Sequence, residues 1–333
     1  SQTNLGEEHQ DTLTSVNNLA YLLKAQGSFD EAEQLFRRTL AWREKNLGPK
    51  HLDTLKSVNA LANLMESQGK WKAAEHFLRW ALEGCAGNHG EAHQDSLLLL
   101  SKLAGILHAQ DELQEAEPFA RRAVAGCEKV FGADHASTLT CVYKLANLLC
   151  AKGELEEAEA MYRRTMQGRE ATLGSQHQDT HASMSNLAAL LESQGKIPEA
   201  EALFRKTLEC QQAKHGAQHP DALRSMNAVA RLLLAQSRYG EAESFYGFAL
   251  QGSEATFGLD HPNTLTCMHN LAYAKDNQGK LGKAEQIYRR ALKGREKQLG
   301  ERHPDTMSTV SSLACLLSAQ GRLDEKDPIF LRA

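Results

Sequence analysis

The stretch HQDTLTSVNNLA, residues 9–20, returns as HLDTLKSVNALA from His51, HQDSLLLLSKLA from His93 and HASTLTCVYKLA from His135. It follows again as HQDTHASMSNLA from His177, HPDALRSMNAVA from His219, HPNTLTCMHNLA from His261 and HPDTMSTVSSLA from His303. Successive histidines stand 42 residues apart throughout. A fixed period of this size marks a repeat array, whose units cannot bury their apolar faces alone and so must stack. The copies are residues 9–50, 51–92, 93–134, 135–176, 177–218, 219–260, 261–302 and 303–333, the last incomplete. Residues 1–8, SQTNLGEE, align with Arg43 to Lys50, REKNLGPK, and read as the tail of a preceding second helix. The whole chain, 1–333, therefore reads as one continuous array excised from, or flanked by, further sequence.

Within the first copy, Leu13, Val16, Leu19, Ala20 and Leu23 form one apolar stripe at helical spacing, which predicts a helix A over 11–25. Pro220, Pro262 and Pro304 follow their histidines directly, where a first helical residue needs no N–H. The histidine is then the N-cap or its neighbour, with Asp or Asn favourably placed against the helix dipole. Gly27 ends helix A. A second stripe, Phe29, Ala32, Leu35, Phe36 and Leu40, predicts helix B over 29–46, ending at Leu47-Gly48. Ala20 recurs in all eight copies and Ala32 in the next six, through Ala284. A residue that never grows marks close helix–helix contact, where added volume would overpack the seam. Gly27 recurs at Gly69, Gly153, Gly195, Gly279 and Gly321, with Asp111 and Ser237 as substitutes. The fold class is all-α, built of tandem antiparallel helix pairs.

Composition narrows function. The 333 residues carry a net charge of −4, so no global positive field recommends nucleic acid or an anionic membrane. No apolar run reaches the roughly 20 residues of a membrane span, and the first residues do not resemble a signal peptide. Seven cysteines, at 85, 127, 141, 150, 210, 267 and 315, are odd in number and lack CxxC spacing. They read as small buried fillers in a reducing, cytoplasmic setting. Eight of the 14 histidines are one repeat position. Neighbouring repeats hold them a helix-pair width apart, about 10 Å per helix, whereas metal ligands converge within about 2–2.6 Å of one ion. No metal and no cofactor is expected, and His108, His181 and His269 stand isolated. Nucleophile-elbow, P-loop, GxGxxG and HExxH patterns are missing, which makes an enzyme the poorest reading. Helix-B carboxylates such as Glu31, Glu33, Glu157 and Glu159, and the pairs Arg37-Arg38, Arg121-Arg122, Arg163-Arg164 and Arg289-Arg290, read as solvated, salt-laced outer surface.

Leu19-Ala20, Leu23, Gly27, Phe29, Ala32, Phe36 and Leu40 resemble the tetratricopeptide repeat. The run Asn270-Leu271-Ala272, Gln278-Gly279, Ala284-Glu285, Arg289 to Leu292, Leu299-Gly300 and His303-Pro304 resembles the 42-residue repeat of kinesin light chains. The resemblance implies a right-handed superhelical solenoid whose A helices line a concave groove that binds peptides without catalysis. Projected onto this chain, groove positions are 14, 17, 18, 21, 24 and 25 and their 42-residue equivalents. They include Asn17, Asn18, Tyr21, Asn59, Asn63, Lys102, Tyr143, Lys144, Asn147, Asn186, Arg224, Asn227, Arg231, Asn270 and Tyr273. Side-chain amides can bond both the N–H and the C=O of an extended peptide, and in the family groove asparagines do so. Lys102, Lys144, Arg224 and Arg231 make the middle of the groove positive, against Glu66, Glu192 and Asp276. The expected partner is a protein or peptide of acidic character, held by a monomeric scaffold or adaptor. Two alternatives stay open: a structural subunit of a large complex held through its outer surface and ends, or the sensor array of a larger signalling protein.

Overall fold

The computed structural model describes residues 10–90 and 93–322. His9, the 1–8 tail and the end of the incomplete last copy lie outside these residues. The described residues hold fifteen helices and no strand, and the chain divides into two compact units, Ser1–Thr172 and Leu173–Ala333. In unit 1 the helices are α1 (Gln10–Ala25), α2 (Phe29–Leu47), α3 (Leu52–Ser67), α4 (Trp71–His89), α5 (Gln94–Ala109), α6 (Leu113–Phe131), α7 (Ala136–Lys152) and α8 (Leu155–Leu173), whose last residue marks the division. Unit 2 follows with α9 (Gln178–Ser193), α10 (Ile197–His215), α11 (Pro220–Ala235), α12 (Tyr239–Phe257), α13 (Pro262–Asn277), α14 (Leu281–Leu299) and α15 (Pro304–Ala319). Odd-numbered helices are the A helices and even-numbered ones the B helices.

Seven of the repeated histidines are the N-caps of their A helices. From His51 to His303, each Nδ1 accepts the backbone N–H two residues on, at 3.2–3.3 Å. This satisfies one of the orphan donors at a helix start. A second tie, not anticipated from the sequence, comes three residues after the histidine. Thr54, Ser96, Thr138, Thr180, Thr264 and Thr306 donate their hydroxyls to the carbonyl of the glycine that ends the preceding B helix, at 2.8–3.0 Å. Ala222 is the exception in that position. The substitutes Asp111 and Ser237 adopt the same left-handed backbone as Gly27, with φ of 63° and 58°.

The alanine seam packs as expected. Ala146 and Ala158 are fully enclosed in unit 1. In unit 2, Ala272 and Ala284 share one buried cluster with Tyr288, Leu292, Val310 and Leu313, so a hairpin and the next A helix form a single core. Glycine deepens this approach near the end of several B helices. A Cβ on Gly84 would come within 2.5 Å of Leu55, and one on Gly252 equally close to Leu223. Leu19 departs from its stripe, being 48% exposed, whereas Leu61, Leu103 and Leu145 are buried at the same repeat position. No described helix precedes α1 to cover it.

The outer carboxylates need a correction. Glu31 and Glu157 are solvent-facing or nearly so, but the side chains of Glu33 and Glu159 are only 15% and 12% exposed. They belong to a series with Glu75, Glu117, Glu201, Glu243 and Glu285, one per repeat. Most of these glutamates bond an arginine four residues on, as in Glu33–Arg37 at 2.7 Å and Glu201–Arg205 at 2.8 Å. Several also reach the turn of the following repeat, as in Glu33–Lys70, Glu201–Arg238 and Glu285–Arg322. These pairs staple neighbouring repeats. Lys275, which replaces a buried apolar residue of other copies, is satisfied the same way through Glu243.

Two outcomes follow from this packing. Ala146→Asp buries an unpaired carboxylate, should cost at least about 3 kcal/mol, and should broaden or split the thermal transition, since each repeat is held by its neighbours. An unchanged single sharp transition in calorimetry contradicts it. Glu243→Gln should destabilise unit 2 by about 1–2 kcal/mol at neutral pH. Lys275 and Lys280 hold the Glu243 carboxyl down at about 2, from an ordinary 4.5. A depressed carboxyl stabilises the fold above its unfolded value and loses that contribution as pH falls toward the folded one. Wild-type and variant midpoints should therefore converge between pH 4.5 and 2, and a constant difference across that window contradicts the pairing.

Candidate functional site

Where A helices lie side by side, as α5 does with α7 and α11 with α13, the space between them opens as a recess. In unit 1 the α5–α7 recess, about 310 Å³, has Ser101, Thr140 and Lys144 on its walls and Cys127, Cys141 and Phe131 beneath. A smaller one of about 70 Å³ lies between α3 and α5, against Asn59 and Cys85. In unit 2 the α9–α11 recess, about 480 Å³, is lined by Asn186, Ala189, Arg224, Arg231 and Gln211. The α11–α13 recess, about 330 Å³, has Asn227, Arg231, Asn270, Ser253 and Phe257. The same repeat positions recur from recess to recess. Ser101 corresponds to Asn227, Cys127 to Ser253, Phe131 to Phe257 and Lys144 to Asn270. One site is repeated with altered lining, which is the arrangement needed to read successive residues of an extended chain.

The fifteen groove residues expected from the sequence are all half-buried or exposed, but many already hold partners. Lys102 Nζ donates to Asn59 Oδ1 at 3.0 Å and to Asn63 Oδ1 at 2.7 Å. Lys144 donates to Ser101 at 3.2 Å. The Asn147 Oδ1 accepts from Tyr162, and the Asn227 Oδ1 from the Cys267 thiol at 3.0 Å. Arg231 pairs with Glu192, and Arg224 with Asp221 at 2.7 Å. Tyr143 carries the Arg169 guanidinium over its ring at 4.7 Å, and Tyr21 meets Phe36 edge-on. Tyr273 is 43% exposed and Asn18 is open to solvent. Asn17 Oδ1 is buried with no partner among the described residues. Asn186 and Asn270 are half-buried on recess walls. Asn59, Asn63, Asn147 and Asn227 are thus already engaged, and a ligand there would exchange bonds rather than create them.

The charges are also coupled. Burial pushes the Lys102 ammonium down; Glu66 opposes this, and the like charges of Lys144 and Lys24 add to it. A carboxylate arriving there would relieve the repulsion among three lysines. In unit 2, burial holds His269 neutral, down to about 4, and raises the Asp276 carboxyl.

Sequence reading missed the layer beneath the recesses. Arg43 donates to Ser57 Oγ and to the Asp53 carbonyl, and Arg295 to Thr309 Oγ1 and the Asp305 carbonyl. Gln211 accepts from Ser225 at 2.7 Å, and Cys127 meets Cys141 at 3.6 Å. These are one junction between the end of a B helix and the start of the next A helix. The recurrence of Arg-Glu at 43–44, 169–170 and 295–296 was its signal. Cysteine burial is mixed: Cys85, Cys127, Cys141 and Cys267 are buried as expected, but Cys315 is exposed. Glu75, Glu112 and Glu115 bring carboxylate oxygens within 4.8 Å, yet Arg79 already bonds Glu75 and Glu115.

On the outer face of unit 2, α10 and α12 enclose an apolar recess of about 410 Å³ lined by Met226, Phe245 and Phe248. Phe248 is 67% exposed, at a position held by Arg38, Arg122, Arg164 and Arg290 in other repeats.

Comparison with known proteins agrees with this architecture. A tetratricopeptide repeat profile matches residues 11–86, 95–171, 139–213, 179–247 and 233–297. No curated protein sequence matches. Among solved structures, a protein assigned as a kinesin light chain from Podospora anserina, with nearly identical TPR-like repeats, is 25% identical, with a TM-score of 0.56 over 62% of this chain and 98% of that one. The apo quorum sensor NprR from B. thuringiensis is 17% identical, with a TM-score of 0.64 over 96% of this chain and 86% of that one. A signal-transduction ATPase with a tetratricopeptide repeat sensor, PH0952 from Pyrococcus horikoshii, is 13% identical, with a TM-score of 0.68 over 93% of this chain and 45% of that one. No described helix is long and apolar enough to cross a membrane. The helix pairs, the alanine seam and the profile matches together establish that the chain belongs to the tetratricopeptide repeat family, a fold typical of protein-interaction scaffolds.

Proposed function

We propose that this chain is a non-catalytic scaffold that holds an extended segment of a protein partner along its A helices. The observation that carries the reading is the recurrence of one recess from repeat to repeat, lined by Lys144 in unit 1 and by Asn186, Asn227, Asn270, Arg224 and Arg231 in unit 2. Amides suit the peptide backbone, and the lysine cluster suits acidic side chains, whose arrival offsets the burial of Lys102. On this reading the eight repeats of residues 9–333 act as one monomeric array in the cytoplasm, without cofactor, nucleic acid or membrane insertion. The quorum sensor and the ATPase sensor among the structural neighbours support sensing a partner as a use of this architecture.

A second reading rests on Phe248. An aromatic ring 67% exposed beside an apolar recess suits a contact through the outer B-helix face, as in a structural subunit of a larger complex.

Combining Lys144→Ala with Asn186→Ala should weaken capture of a bound peptide by about tenfold to a hundredfold, the worth of one or two polar contacts, with helicity unchanged. Calorimetric titration against circular dichroism reads both quantities. Capture retained at wild-type strength rejects the groove.

A further inference from the structure

The α9–α11 recess holds a histidine that stacking of the repeats does not require. Its repeat position is leucine in six copies, Leu13, Leu55, Leu97, Leu139, Leu223 and Leu265, and methionine in the last, Met307. In five of those copies the leucine lies against a glycine of its own B helix, close enough that a Cβ there would collide with it. In the copy with His181, that glycine is Cys210. Leucine and glycine have been exchanged together for histidine and cysteine.

His181 is 5% exposed, and its Nε2 has no hydrogen-bond partner among the described residues. The Ser175 backbone lies near the ring and opposes the effect of its burial. In a neutral ring that turns its Nδ1–H toward the Ser175 carbonyl, the unpartnered Nε2 is a bare acceptor. Burial keeps the ring neutral; the Ser175 backbone and the Asp221 charge oppose this, and the charges of Lys214 and His215 reinforce it. A buried acceptor without a donor is costly and asks for one.

The recess above it is opened by small residues. Ala182, Ala189 and Ala228 stand where other copies carry groups as large as Leu98, Tyr273 and Lys144. Gln211 and Ser225 bond each other at its base, so His181 is the polar group left over.

We propose that this recess is a specificity pocket for one neutral hydrogen-bond-donating side chain of the bound segment, an amide or a hydroxyl, received by His181 Nε2. The rim carboxylates Asp221 and Glu192 are already held by Arg224 and Arg231, which leaves a cationic donor no unpaired counter-charge there, and a carboxylate has no hydrogen to offer. The proposal rests on the groove reading and sharpens it: within a partner of acidic character, the residue seated here is uncharged. A site built to pair a polar group rejects the apolar isostere because its own buried group would be left unpaired.

The test is selection of a displayed random-peptide library on the chain and on the double variant His181→Leu/Cys210→Gly. That variant restores the leucine–glycine pair of the neighbouring repeats and so keeps the packing. Peptides selected on the wild type should share Asn, Gln, Ser, Thr or Tyr at one position. Replacing that residue by its apolar isostere should weaken binding about tenfold on the wild type and leave binding to the double variant unchanged. In the wild type alone, the imidazole ¹⁵N signal of His181 should move on adding the selected peptide. Equal weakening on both proteins, or no shared donor position, overturns the role of His181 and leaves the groove standing. Failure of both proteins to enrich any peptide overturns the groove reading, and this one with it.

Discussion

Ala272 on α13 and Ala284 on α14 share a buried cluster with Val310 and Leu313 of the following A helix, and neither alanine extends beyond a methyl group. Two helices can approach closely only where side chains are this short, and in a close-packed interior one added methylene is felt at once. Repeating the pair at a fixed interval makes each hairpin within a unit nest on the next at one setting. That setting aligns the A helices, and aligned A helices leave recesses at regular intervals. The recesses are therefore a by-product of the seam.

Around that seam the chain spends its polar groups on joints. A histidine caps each described A helix after the first, a threonine or serine ties most of the loops before them, and glutamates on the B helices reach arginines and the next turn. Beneath the recesses a further junction changes chemistry from copy to copy: arginine to serine, cysteine to cysteine, glutamine to serine, arginine to threonine. Variation concentrated where a ligand would lie, over joints that hardly vary, is what a scaffold with adjustable specificity requires.

The sequence made the helices legible because their signals are local. Stripes beginning at Leu13 and Phe29, the break at Gly27 and the prolines after His219, His261 and His303 place α1 and α2 within a residue of where they lie. The histidine cap was legible for the same reason. Glu33 and Glu159 were misplaced on the solvent face because their burial depends on what a neighbouring turn delivers, which their own helix does not record. The same holds for Asn59 and Asn63: as groove amides they were foreseen, but Lys102, about a repeat further on, already occupies them. His181 stood out only as an isolated histidine, since its meaning lies in an unpaired Nε2 that no sequence pattern marks.

The central claim is that a partner lies along the A helices. A photo-activated crosslinking residue placed at Gly105 on α5 and at Ala189 on α9, both exposed, and separately at Phe248 on α12, reads this directly. The account predicts adducts with bound peptide from Gly105 and Ala189 and none from Phe248. Adducts from Phe248 alone would contradict it and move the interface to the outer face.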